Sequence, residues 1–184
     1  MAIGISVTKA PDRYDLGASK FFGTPTIPGE WLDDFSEDEI FFCQIRLSDI
    51  AELDKENRLP HKGYLYVFLH TEEGERHLSL DLRYRDERPT HALEGFNMAV
   101  TGYENWDDAY LMEFSEVAED FDGTRLFGIP SDWPYGDEPP CLLLQYDPLD
   151  SEMGFLDSLD GYLYLFFGED EKDLAAVTLH GEYT

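Results

Sequence analysis

The chain has 184 residues, 42% of them apolar and 15% aromatic, with 40 acidic against 13 basic side chains and a net charge of −27. That length and apolar content suit one substantial buried core and exclude an intrinsically disordered sequence. The charge argues against direct binding to nucleic acid or anionic lipid, because phosphate recognition needs cations that displace counterions.

The N-terminal "MAIGISVTKAP" has neither a basic start nor an apolar stretch of signal length. Nowhere does an apolar run approach the roughly 20 residues that span a bilayer. Residues Ile3 to Thr8 read as a strand. The next stretch, "FFGTPTIPGEW" (Phe21 to Trp31), packs turn-formers among apolar side chains. Its glycine can take a positive φ, while proline fixes its own φ and extends the residue before it. The spacing predicts a rigid corner whose aromatics still reach the core. The apolar strand "FFCQI" around Gln44 follows, then one or two helical turns over Ser48 to Leu53 and a loop, "NRLPHKG". "GYLYVF" (Gly63 to Phe68) reads as a strand, "HTEEGER" as an acidic turn, and "HLSLDLRYR" as a return strand. The alternation of Leu78, Leu80, Leu82 and Tyr84 with polar neighbours marks a sheet face half buried and half wet. "RYRDERPTH" reads as a surface crossover.

From Asp107 to Phe121, the spacing of Tyr110, Phe114, Val117 and Phe121, with acids in the first turn, predicts a helix. Beyond it the earlier pattern returns. Phe127-Gly128-Ile129-Pro130 matches Phe22-Gly23-Thr24-Pro25, each followed by a tryptophan, Trp133 and Trp31. "LLLQY" around Gln145 matches "FFCQI", and "GYLYLF" (Gly161 to Phe166) matches "GYLYVF". Three blocks in one order indicate an internal duplication over approximately 19–84 and 124–184. The expected fold is mainly β (α+β): two duplicated antiparallel units packed as a single domain, with one or two short helices. Cys43 and Cys141 lie in apolar strand-like segments and read as buried free thiols, with the cytosol as default compartment.

The series S-K-F-F-G-T-P (Ser19 to Pro25), F-C-Q-I-R-L-S-D-I (Phe42 to Ile50), L-P-H-K-G-Y-L-Y-V-F (Leu59 to Phe68), C-L-L-L-Q-Y-D (Cys141 to Asp147) and D-G-Y-L-Y-L-F-F (Asp160 to Phe167) resembles the YwqG-like family. This is a bacterial family of unknown function. The resemblance spans roughly Ser19 to Phe167 and implies a mainly β fold with duplicated halves; it implies no catalytic residues. The chain departs from the family in its shortness and in carrying "MGFLDSLDG" where a tryptophan-glycine-aspartate stretch is expected.

Charge is uneven along the chain. Through Gly102 there are 19 acids and 11 bases, net −8, whereas from Tyr103 on there are 21 acids and only Arg125 and Lys172, net −19. The crowded acids Asp147, Asp150, Glu152, Asp157 and Asp160 suggest calcium as the one candidate cofactor, with Asp147 and Asp150 as first ligands. Their spacing is not that of an EF-hand loop, and a solvated acidic loop is the expected reading. His70 and His77 flank a predicted hairpin turn but, without nearby cysteines, make a poor zinc set. Neither a nucleophile elbow nor a phosphate loop is present, and neither cysteine sits beside an obvious cationic activator, so an enzyme is not supported. Two expectations remain. One is an acidic protein-binding module, an immunity-type protein being one version, that docks a basic partner. The other is a small-ligand or carbohydrate binder using a cleft between the repeats lined by Trp31, Gln44, Trp133 and Gln145.

Overall fold

The structure is a computed structural model and describes residues 1–71, 78–131, 133, 138–148 and 161–181. The fold is mainly β, with strands β1 (Ala2–Lys9), β2 (Lys20–Phe21), β3 (Thr26–Ile27), β4 (Glu39–Arg46), β5 (Tyr64–Thr71) and β6 (Leu78–Arg85) in the first part. They are followed by β7 (His91–Ala92), β8 (Tyr110–Val117), β9 (Arg125–Leu126), β10 (Leu142–Tyr146), β11 (Leu163–Phe166) and β12 (Thr178–Gly181). Among the described residues ten strands form one sheet in the order β12-β11-β10-β9-β1-β8-β2-β4-β5-β6, and β3 pairs with β7 separately. The sheet curls until β6 and β12 approach each other, so it is nearly closed. Among the described residues short 3-10 turns are the helical content, the longest being Glu104–Asp107. No helix among the described residues is long and apolar enough to cross a membrane.

Residue alternation explains the layering. On β5, Leu65, Val67 and Leu69 join the main core, while Tyr64, Tyr66 and Phe68 belong to a second cluster on the other face. On β11, Leu163 and Leu165 likewise enter the main core, and Tyr164 and Phe166 a third cluster. A period of two places alternate side chains on opposite faces. The main core draws on both halves of the chain, from Ile3, Phe42 and Val67 to Leu126, Leu144 and Tyr146.

No helix runs over 107–121: Asp107 ends the 3-10 turn Glu104–Asp107, and 108–121 are not helical. Tyr110–Val117 is strand β8, antiparallel to the whole of β1 from Ala2↔Val117 to Lys9↔Tyr110. Tyr110 and Phe114 fit periods of both two and four; Met112 between them is buried, which only the strand reading allows. Phe121, expected on the apolar face of the helix, is exposed. Long-range pairing with β1 overrides the local spacing. Over 47–53 a single 3-10 turn, Leu47–Asp49, opens a run of turns. Strand β12 starts at Thr178, directly after the 3-10 turn Leu174–Ala176 and Val177.

The sheet order reads alike from both ends: β6-β5-β4-β2 on one side, β12-β11-β10-β9 on the other, with β8 and β1 between. Registers agree too. Lys20 and Phe21 face Gln44 and Cys43, as Arg125 and Leu126 face Gln145 and Leu144. The leading strands are exchanged. β1 precedes β2 in the chain but pairs with β9, and β8 precedes β9 but pairs with β2. Matching bonds seal the exchange, Ile5 N–H to Thr124 O at 2.9 Å and Met112 N–H to Ser19 O at 3.0 Å.

Both glycine–proline corners bend the same way. Phe22 and Gly23 have φ of 54° and 73°, and Phe127 and Gly128 have 62° and 87°. A bulky residue at positive φ is an outlier that surrounding structure must hold. Here the Phe22 N–H donates to Phe42 O at 2.8 Å and the Phe127 N–H to Leu143 O at 3.2 Å. A Cβ on Gly23 would meet Ala109 Cβ at 2.5 Å, and one on Gly128 would meet Glu119 O at 2.5 Å. Each corner is therefore wedged against the chain at one end of an exchanged strand.

Candidate functional site

The two glutamines tie loops to the sheet. Gln44 is fully buried; its Oε1 accepts from Thr26 N–H at 3.2 Å and Thr26 Oγ1 at 2.8 Å, and its Nε2 donates to Leu16 O and Ala18 O. Gln145 repeats this, accepting from Ser131 N–H at 2.8 Å and donating to Gly123 O at 3.0 Å. With amides satisfied by protein groups, they hold the corners. Trp31 is buried in the second cluster, edge-on to Tyr66 with centroids 5.2 Å apart. Trp133 is half-buried beside Tyr164 and Phe166 on the third cluster. The four residues thus fall on separate clusters and loop ties, and the structure does not bring them together around one cleft. Asp147 is half-buried, with its N–H donating to Thr124 Oγ1 at 3.1 Å. Asp150, Glu152, Asp157, Asp160 and His77 lie outside the described residues.

Sequence reasoning passed over a matched pair of cations. Lys20 and Arg125, each three residues before its corner glycine, are both fully buried. Arg125 donates to Gly123 O and Ile129 O, and Lys20 Nζ donates to Leu16 O at 3.3 Å. The repeated spacing, K-F-F-G and R-L-F-G, was the available signal. The cysteines are free. Arg58 Nη1 lies 3.3 Å from Cys141 Sγ, a cationic neighbour the sequence did not reveal. Burial nevertheless outweighs that guanidinium and pushes the Cys141 thiol up, so it stays neutral. Buried Cys43 is pushed up by the same cause.

A groove lies over the second cluster. Segments 36–39 and 92–100 enclose this groove of about 460 Å³ lined by Glu37, Glu39, Leu93, Glu94, Phe96 and Val100. Asn97 fixes this wall: fully buried, it accepts from Phe41 N–H at 2.7 Å and donates to Phe41 O and Trp106 O. Phe96 packs on Phe35 and Phe68 at 5.2 and 5.8 Å. Glu39 is buried, taking the Ser36 N–H at 3.2 Å. Burial pushes its carboxyl above the ordinary range, against the pull of that N–H and of Arg83.

Arg83 sits behind Glu39 against the rings of Phe35, Trp31 and Phe68, 4.6, 5.2 and 5.5 Å from their centroids. It reaches Asp81 at 2.6 Å and Glu39 at 3.4 Å. Glu39, His70 and Asp81 offer ligand atoms within 4.8 Å of one another. The single guanidinium is shared between the two carboxylates, so this set is an ion-pair network braced by aromatic faces, with one negative charge more than its cation balances.

Countercharge crosses between the halves. Lys9 pairs with Asp108, Lys55 with Glu116, and the N-terminal amine with Glu119. Among the described residues every lysine and arginine except Arg13, Lys20, Arg125 and Lys172 is in an ion pair with a carboxylate. Glu37, Glu94, Asp107, Glu113 and Asp120 are exposed, and none is in an ion pair among the described residues. No family model matches the chain and no curated protein matches it.

Proposed function

We propose that this chain is a non-enzymatic, cytosolic protein-binding module whose acidic surface docks a basic partner, an immunity-type protein being one version. The observation that carries this reading is the distribution of countercharge. The chain's cations are largely committed to internal ion pairs or buried, which leaves the excess carboxylates facing solvent. A net charge of −27 on a small domain accelerates encounter with a basic surface, and added salt screens the attraction. The resemblance to the YwqG-like family belongs to the same proposal; it supports a duplicated β architecture and supplies no residue roles.

Capture from cell extract on the immobilised full chain, at about 50 mM and about 500 mM salt, tests the reading. The expected result is retention of basic proteins at low salt and their release at high salt. Capture that is indifferent to salt, or no capture, overturns it.

A further inference from the structure

Resting on that docking reading, we infer that the groove between segments 36–39 and 92–100 is where the partner is held, and that its occupant is a lysine or arginine side chain of the basic partner. The groove combines an apolar floor with an acidic mouth. Leu93, Phe96 and Val100 are largely buried, whereas Glu37 and Glu94 are exposed and carry no ion pair among the described residues. Glu39 lies in the same lining, its Arg83 partner reaching it from the aromatic cluster. Such a site suits a side chain with a long methylene stem and a cationic head, which lays the stem on apolar surface and places the head among carboxylates. Burial disfavours the charge on Glu39, and an incoming cation offsets that penalty.

The wall is also preformed. Asn97 bonds both the N–H and the C=O of Phe41, and Phe96 is clamped by two rings. Little ordering is therefore left to binding. A second copy of this chain is a poor occupant, because among the described residues only Arg13 and Lys172 of its lysines and arginines are neither ion-paired nor buried, and its net charge of −27 repels a like copy.

Titration of the isotope-labelled full chain with a decalysine peptide, followed through backbone amide shifts at about 50 mM salt, tests the inference. Shifts should concentrate on Ser36–Glu39 and Leu93–Val100. The double variant Glu37→Gln/Glu94→Gln, confined to exposed side chains, should bind about tenfold more weakly, the sum of two modest charge contacts. A decamer of 2,4-diaminobutyrate, equal in charge but two methylenes shorter per side chain, should also bind about tenfold more weakly. Shifts centred instead on Glu113 to Asp122, or equal affinity for the two peptides, overturn the groove and leave the docking reading standing. Absence of saturable binding anywhere overturns both.

Discussion

Replacing Lys20 with methionine should stabilise the protein and flatten its stability between pH 7 and 8.5. The ammonium is fully buried, 5.1 Å from the Tyr14 ring centre, with one hydrogen bond to Leu16 O. Burial lowers its pKa from 10.5 to about 7, against the pull of Asp15. The unfolded chain holds that proton to about pH 10.4. Above pH 7 the unfolded state therefore binds more protons than the folded one, and stability rises with pH. The slope approaches about 1.4 kcal/mol per pH unit and integrates to about 1.5 kcal/mol between pH 7 and 8.5. Below pH 7 the penalty is fully present. Above pH 8.5 the rise is cut off, because Cys43 ionises readily only when unfolded. Methionine keeps the stem and removes the charge, and Leu16 O retains its bonds from Thr26 Oγ1 and Gln44 Nε2. Urea unfolding of both proteins at half-unit pH steps reads the effect. A flat or falling wild-type curve over that window, or an unchanged slope in the variant, refutes the reasoning.

Asn97→Ala leaves the Phe41 N–H and C=O without their side-chain partner, while Trp106 O keeps the Gly23 N–H, and should cost about 3 kcal/mol in urea unfolding. Gly23→Ala combines positive φ with a 2.5 Å clash against Ala109 and should cost at least about 2 kcal/mol. Gly102→Ala, at φ +93° with nothing within 4 Å, should cost only about 1 kcal/mol, and thermal melts should rank the two in that order. The Tyr66 hydroxyl is buried without a hydrogen-bond partner among the described residues, whereas that of Tyr164 donates to Ser131 O at 2.7 Å. Tyr66→Phe should therefore be neutral or stabilising and Tyr164→Phe should lose about 1 kcal/mol; equal losses in calorimetry would contradict this account.

Most strands were legible because a sheet writes itself locally, one side chain to one face and the next to the other. The tyrosine-rich strands, the return strand Leu78–Arg85 and the N-terminal strand all carry that period, and the glycine corners were visible from residue chemistry. The segment 107–121 misled because its aromatics satisfy two periods, and only the β1 register chooses between them. The groove left no local mark. Glu37 and Glu94 are ordinary acids in an acidic chain until Asn97 draws their segments together.

By itself, then, the sequence determined strand faces, corner positions and the order of the two similar halves, all properties of neighbours along the chain. The tertiary structure alone decided that β1 and β8 trade places, that Gln44 and Gln145 turn inward to loop amides, and which carboxylates keep no cation. Those outcomes depend on hydrogen bonds and ion pairs between residues well separated along the chain, from 14 positions for Ser131 and Gln145 to 99 for Lys9 and Asp108, and no local pattern of residue types encodes which partner is met.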